Sequence, residues 1–355
     1  MWNLEHEKFP MVTADLPGIG GRIRAVPEDF EVEEIPAYEP CGTGPHVYLW
    51  IEKRGLAADW LVKRLAQVLG VAQQEIGMAG LKDRHAVTRQ WISIPASAES
   101  RLAAVRIPGF VILRVSRHTN KLRAGHLRGN RFCLRIRQVH AETAKRLAPL
   151  MERLRHMGLP NYYGEQRFGR HGDTLRLGLA LLHGRADPKL QRHRFLRKLS
   201  LSAVQSWLYN RYLAERMHRG WLHCVVPGDV LHQVPQGGMF LAQDVALEQE
   251  RLNRREVVST GPIYGRRMFA SHGLAAQLES EILHQAGLTS EMFQSFGKLL
   301  LGTRRDNLVF LDDLQAQIEG GDVILTFSLP AGSYATVLLR EIMKSGDWKN
   351  EDSGL

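Results

Sequence analysis

Long apolar runs are missing from this chain of 355 residues. No stretch approaches the roughly 18 consecutive apolar residues a membrane helix needs. The start, Met-Trp-Asn-Leu-Glu-His-Glu-Lys, has no basic region followed by an apolar one, the mark of a secretory signal. A cytoplasmic protein is therefore expected. Cysteine is scarce: Cys41, Cys133 and Cys224 are odd in number and far apart, which argues against a disulfide framework and against a zinc site. They are expected to be reduced, mostly buried thiols. Also absent are a Walker A run, Gly-x-Ser-x-Gly, His-Glu-x-x-His, paired Cys-x-x-Cys and the zinc-deaminase signature. Gly18-Ile19-Gly20-Gly21 follows no strand signal and reads as a plain turn rather than a nucleotide loop.

Acid is the residue class whose local absence says most. Between Arg114 and Arg137 the chain carries Arg114, Arg117, Lys121, Arg123, Arg128, Arg131, Arg135 and Arg137 without one Asp or Glu. A second basic block holds Lys189, Arg192, Arg194, Arg197 and Lys198. With 47 basic against 37 acidic residues the net charge is +10, which attracts polyanions but says nothing about fold. Blocks of this kind on a folded scaffold fit a surface that tracks nucleic-acid phosphates.

A hydrophobic share of 44% predicts a folded body, and the soft prior of about 150 residues per domain predicts two domains. Val47, Leu49 and Ile51 alternate with Tyr48, Trp50 and Glu52, and Val111, Leu113 and Val115 alternate likewise, as do Phe132, Leu134 and Ile136 with Cys133, Arg135 and Arg137. A period of two predicts strands at each place, the last with one apolar and one cationic face. Leu61, Leu65, Val68 and Leu69 predict a helix that Asp59 caps and Gly70 ends. A second helix spans 142–157. From 161 to 301 the pattern is mostly helical, and strand signals return at Leu308–Phe310 and Val323–Leu329, before a last helix capped by Ser333 and a frayed end after Lys344. The fold class is α+β. Strands on both sides of a helical block predict an inserted domain: 1–160 and 302–355 form the first unit and 161–301 the insert.

One stretch concentrates chemistry. In Gly77–Pro95, Asp83 stands between Lys82 and Arg84 with His85 next, in a turn opened by Gly77 and Gly80 and followed by an extended run from Trp91. Cations close by favour the charged form of a carboxylate, so Asp83 is a candidate nucleophile or base. The plainer alternative is an Asp that bonds nearby backbone N–H groups in a turn. Phe132 and Phe327 are placed to act as walls for an unstacked base, or to be core residues.

Gly80-Leu81-Lys82-Asp83-Arg84-His85-Ala86-Val87-Thr88-Arg89-Gln90-Trp91 resembles the signature of the TruD-type tRNA pseudouridine synthases, which modify uridine 13 of transfer RNA. Pro27–Glu34, Gly129–Phe132, Pro160–Gly169 and Leu329–Thr336 are similar to the family's other blocks, in the same order. The resemblance covers about residues 15–344. It implies a mixed, largely antiparallel sheet of pseudouridine-synthase type flanked by helices, an inserted mainly helical domain, no cofactor, transfer RNA as partner, no obligate protein partner and a monomer. It also implies that Asp83 is the catalytic carboxylate, with Asn130 and Phe132 shaping the uracil pocket and Phe327 a further wall. Arg24 occupies a position where the family commonly has Lys; it keeps the charge that pairs with the carboxylate but offers a planar fork. Lys82, Arg84, His85, Arg117, Lys121, Arg123, Arg128, Arg131 and Arg167 are candidate RNA contacts. Two other readings share some of these features: an RNA-binding or RNA-folding protein without chemistry, and an RNA methyltransferase, for which no convincing glycine-rich cofactor loop is present.

Overall fold

The computed structural model describes residues 9–235 and 237–344. The frayed end expected after Lys344 lies outside them, as do the first eight residues of the expected lead-in and Gln236. Fourteen strands occur among the described residues. In chain order they are β1 (Phe30–Pro36), β2 (His46–Arg54), β3 (Gly77–Met78), β4 (Val87–Pro95), β5 (Phe110–His118), β6 (Leu127–Ile136), β7 (Leu159–Pro160), β8 (Val230–Gln233), β9 (Met239–Leu241), β10 (Val257–Ile263), β11 (Thr303–Asp306), β12 (Leu308–Val309), β13 (Gln315–Glu319) and β14 (Asp322–Pro330). The helices are α1 (Ala58–Leu69), α2 (Thr143–Met157), α3 (Asp173–Leu182), α4 (Pro188–Arg192), α5 (Arg194–His218), α6 (Val245–Asn253), α7 (Gly273–Gln285), α8 (Ser290–Gln294) and α9 (Ala335–Met343).

The main sheet runs β13-β14-β6-β1-β4-β2-β5, with β3 added on β4. Only β1 and β4 pair in parallel; every other pair is antiparallel. One core lies where β1, β6 and β14 meet α2 and α9, through Phe30, Leu134, Leu150, Leu154, Leu325 and Leu338. Another packs α1 on β2 and β4 through Leu61, Leu65, Leu69, Leu49 and Ile92. The chain leaves this sheet through β7 and returns through β12, and these two short strands pair antiparallel, Leu308 opposite Pro160.

Between them lie α3 to α8 and a four-stranded sheet ordered β11-β10-β8-β9. The fourth strand of that sheet, β11, lies past residue 301 and pairs with β10, Thr260 opposite Asp306. Helix α5 is the spine of the region: Leu201, Val204, Leu208 and Tyr212 enter the helical core, while Tyr209 and Leu213 enter the core of the main sheet. A helix apolar on nearly all sides is what burial between two bodies requires.

Several local expectations are corrected. Asp59 lies inside the first turn of α1, whose N-cap is Ala57, so it faces the helix dipole rather than capping; Gly70 does end the helix, at φ +59°. The last helix starts at Ala335 with Tyr334 as N-cap, and the Ser333 hydroxyl is taken up by Asn161 Oδ1 at 2.9 Å. Val111, Leu113 and Val115 are exposed because β5 is the edge of the sheet and Phe110 and Ile112 make its buried contacts. Cys41 and Cys133 are exposed rather than buried, Cys133 because it alternates with the buried Phe132 and Leu134 on β6. Strand β13 had no apolar period to announce it, since four of its five residues are exposed.

Candidate active site

The site grows from the register of the main sheet. Side chains directly opposite on paired strands point to one face. Lys53 of β2 lies opposite Thr88 of β4, Thr88 opposite Val32 of β1, Val32 opposite Phe132 of β6, and Phe132 opposite Phe327 of β14. On the neighbouring row, Glu34 lies opposite Asn130. These rows form a floor that is polar toward β2 and β4 and aromatic toward β14. The loop from Ala79 to Ala86, which joins β3 to β4 and carries Asp83, lies against its polar end.

Three side chains, those of Lys53, Lys82 and Gln90, help to hold that loop. The Lys53 ammonium, buried at 1% exposure, donates to the carbonyls of Asp83 at 2.8 Å, Leu56 at 2.9 Å and Lys82 at 3.4 Å. Burial pulls its pKa down to about 8, against the opposing pull of the Asp83 charge. Lys82 turns inward: its Nζ is 3.2 Å from Glu34 Oε2, and both side chains are buried. Burial pushes the Glu34 carboxyl up, offset by Lys82 and by the Trp91 N–H that Glu34 accepts. Finally, the Gln90 amide nitrogen donates to the Gly80 carbonyl at 3.5 Å.

Asp83 itself stays accessible, its side chain 42% exposed, and Arg84 and His85 beside it are exposed. Arg24 Nη2 lies 3.4 Å from Asp83 Oδ2. Arg24 is brought there by an isolated bridge two residues earlier, in which Arg22 and Arg137 exchange both backbone hydrogen bonds at 2.8 Å, and by its own left-handed backbone at φ +61°. Its guanidinium sits 4.1 Å from the centre of the Phe30 ring, a cation-π contact. Burial lowers the Arg24 pKa and the Asp83 charge raises it, yet an arginine remains protonated throughout the working range.

The aromatic end is tightly packed. Phe132 and Phe327 stack with centroids 5.1 Å apart at 16°, and Phe30 meets Phe132 edge-on at 6.2 Å. Phe30 thus links Arg24 to the Phe132 wall, a role that sequence reasoning did not give it although it lies in one of the matching blocks. Three polar atoms on the floor, Thr88 Oγ1, Gln90 Oε1 and Asn130 Oδ1, are buried without a protein partner. Buried unsatisfied polar groups are costly, and they gather where a protein serves a ligand rather than its own stability.

The expected RNA contacts divide. Arg123 and Arg128 are exposed, and no carboxylate among the described residues pairs with them. Arg117 pairs with Glu99 and Arg131 with Glu33, the latter at 3.5 Å, while Lys121 donates to the Gln74 carbonyl. Lys82 is removed from the solvent-facing set because its charge is buried on Glu34. Arg167 donates to Ser206 Oγ at 3.1 Å and lies 6.0 Å from the Tyr163 ring, on the helical side of the molecule. Among the described residues no group of three or more His, Cys, Asp and Glu is arranged to hold a metal ion, and no helix is long and apolar enough to cross a membrane.

Comparison with known proteins decides the family. The family model described as tRNA pseudouridine synthase D (TruD) matches residues 8–193 and 188–342. The chain belongs to the TruD family of tRNA pseudouridine synthases. It is similar to the tRNA pseudouridine synthase D of Anaeromyxobacter sp. (strain Fw109-5), 46% identical over 341 residues that cover 95% of this chain and 96% of that one. That of Thermus thermophilus is 42% identical over 342 residues, covering 95% and 93%. A crystal structure of the putative tRNA pseudouridine synthase D from Methanosarcina mazei superposes with a TM-score of 0.75 at 25% identity, covering 95% of this chain and 96% of that one. The TruD fold accounts for the mixed, largely antiparallel sheet with its flanking helices, and the family activity, isomerisation of uridine in transfer RNA, is that of this enzyme.

Proposed function

We propose that this enzyme converts uridine 13 of transfer RNA to pseudouridine with Asp83 as its catalytic carboxylate. The observation that carries the reading is the Arg24–Asp83 pair at 3.4 Å, an accessible carboxylate held against a buried cation beside an aromatic wall. Isomerisation breaks the C1′–N1 bond, turns the base and joins C1′ to C5, so it consumes no cofactor or energy source. Asp83 serves by attacking C1′ or uracil C6, or by removing the C2′ proton, and each route uses a carboxylate oxygen that Arg24 orients at 3.4 Å. Asn130 and Gln90 offer amide oxygens to the base edge, and the Phe132 side of the floor takes its flat face. Arg84, His85, Arg123 and Arg128 supply cations around the mouth for the RNA backbone.

In the same reading the enzyme works as a cytoplasmic monomer without an obligate protein partner, and the segment from 161 to about 301 is a domain inserted into the catalytic one. The chemistry is tested with transfer RNA carrying tritium at uridine C5, whose hydrogen leaves when C5 bonds to C1′. Wild type is expected to release tritium and Asp83→Asn to release none while still binding the RNA. Full release by Asp83→Asn, or none by wild type, sinks the assignment. Mapping the modified nucleotide tests position 13.

A further inference from the structure

The two basic blocks have opposite fates in the fold. In the first, five of eight cations meet carboxylates brought from elsewhere in the chain: Arg114 meets Glu39, Arg117 Glu99, Arg131 Glu33, Arg135 Glu319 and Asp322, and Arg137 Asp29 and Asp322. In the second, along α4 and the first turns of α5, Lys189, Arg192, Arg194, Arg197 and Lys198 have no carboxylate partner among the described residues. Asp187 is the sole acid between His183 and Ala214, and its Oδ1 is occupied as the α4 N-cap by the Lys189 N–H at 2.6 Å. Here the positive charge is left unmatched.

Two further features coincide with it. A hollow of about 480 Å³ lies between α4, α5 and the segment after α8, lined by Leu181, Pro188, Gln191, Arg192, Arg197 and Phe296. Arg197 is fixed in its wall: its guanidinium lies 5.6 Å from the Phe296 ring and donates to the Gln191 carbonyl at 3.3 Å. In the first turn of α5, two residues before Arg197 in the chain, Phe195 stands 70% exposed and follows Arg194 directly. An exposed ring on the same short stretch as unmatched cations suits a nucleotide, whose phosphate takes the charge and whose base takes the ring.

We propose that this hollow is an RNA-docking site on the helical region, seating a backbone phosphate of the transfer RNA against Arg192 and Arg197 with an unpaired base stacked on Phe195. The proposal rests on transfer RNA being the substrate. It makes the site one of recognition, so its residues govern affinity and not the isomerisation step.

The test uses the full-length enzyme and a transfer RNA transcript, with Kd measured across salt concentrations and tritium release followed at saturating RNA. Arg192→Ser with Arg197→Ser is expected to raise Kd by about tenfold or more and to reduce the slope of log Kd against log salt by about one, the contribution of one phosphate. Phe195→Ala is expected to raise Kd by roughly tenfold with the slope unchanged. In both, the rate at saturation stays within about twofold of wild type. Arg192 and Phe195 are exposed, so Arg192→Ser and Phe195→Ala singly decide the matter should the double variant unfold. Kd and slope equal to wild type in these variants overturn the proposal. Failure of the catalytic reading is separate: it shows as no release by wild type, and Asp83→Asn is expected to lose release while keeping Kd.

Discussion

The Arg24 guanidinium and the Asp83 carboxylate meet at 3.4 Å although 59 positions separate them in the chain, the first 9% and the second 42% exposed in their side chains. One partner is fixed by burial and by the Phe30 ring, and the other is free to face substrate. Arg24→Met is therefore expected to lower the saturated isomerisation rate by about 100-fold with RNA binding little changed. Arg24→Lys keeps the charge and is expected to recover most of the rate, and single-turnover kinetics decide between charge and fork geometry. Equal losses in both variants would show that the fork is required.

Lys53 gives a pH signature. Its pKa in the folded protein is about 8, below that of an unfolded lysine near 10.5, so between these values the unfolded chain binds a proton that the folded chain has released. Stability from this residue is thus lowest below pH 8 and rises as pH climbs toward 10.5, by roughly 3 kcal/mol if the whole shift is expressed. Denaturant unfolding of wild type and Lys53→Met from pH 7 to 10.5 isolates the difference. A wild-type curve parallel to that of the variant would rule it out. Lys53→Met also strips a donor from the Asp83 carbonyl and is expected to slow isomerisation.

The Lys82–Glu34 pair is buried on both sides, so removing one charge strands the other. Glu34→Gln is expected to destabilise by about 3 to 5 kcal/mol, and Lys82→Met with Glu34→Leu by much less, because an apolar pair needs no compensation. Urea midpoints of the three proteins measure this. A double variant no more stable than Glu34→Gln would contradict it.

The two glycines that open the Asp83 stretch are not equivalent. A Cβ at Gly77 would stand 2.2 Å from the Leu122 carbonyl oxygen, whereas at Gly80 the nearest atom is 3.6 Å away. Gly77→Ala is expected to destabilise by about 1 to 3 kcal/mol, as overpacking does, and Gly80→Ala to leave stability within about 0.5 kcal/mol. Thermal unfolding of both distinguishes close approach from mere chain flexibility at these positions.

Local pattern determined much of this protein. The alternation in β2, β6 and β14, the helical face and Gly70 stop of α1, and the motif around Asp83 all depend on neighbours a few residues apart, and they could be read without any fold. The ordered blocks also carried the family. What sequence could not decide is which distant groups neutralise one another. The run from Arg114 to Arg137 contains no acid, yet most of its charge is matched by carboxylates from β1, β13, β14 and segments outside the strands, while the shorter block near α5 keeps its charge unmatched. Lys82, adjacent to Asp83 and cationic, looked like an RNA contact; register put Glu34 beneath it and turned it inward. Arg24 needed the Arg22–Arg137 bridge to reach Asp83, and Lys53 needed β2 to pair with β4 to reach the same loop. Electrostatic partnership depends on proximity in space, and proximity across a sheet is set by strand order and register, which only the tertiary structure supplies.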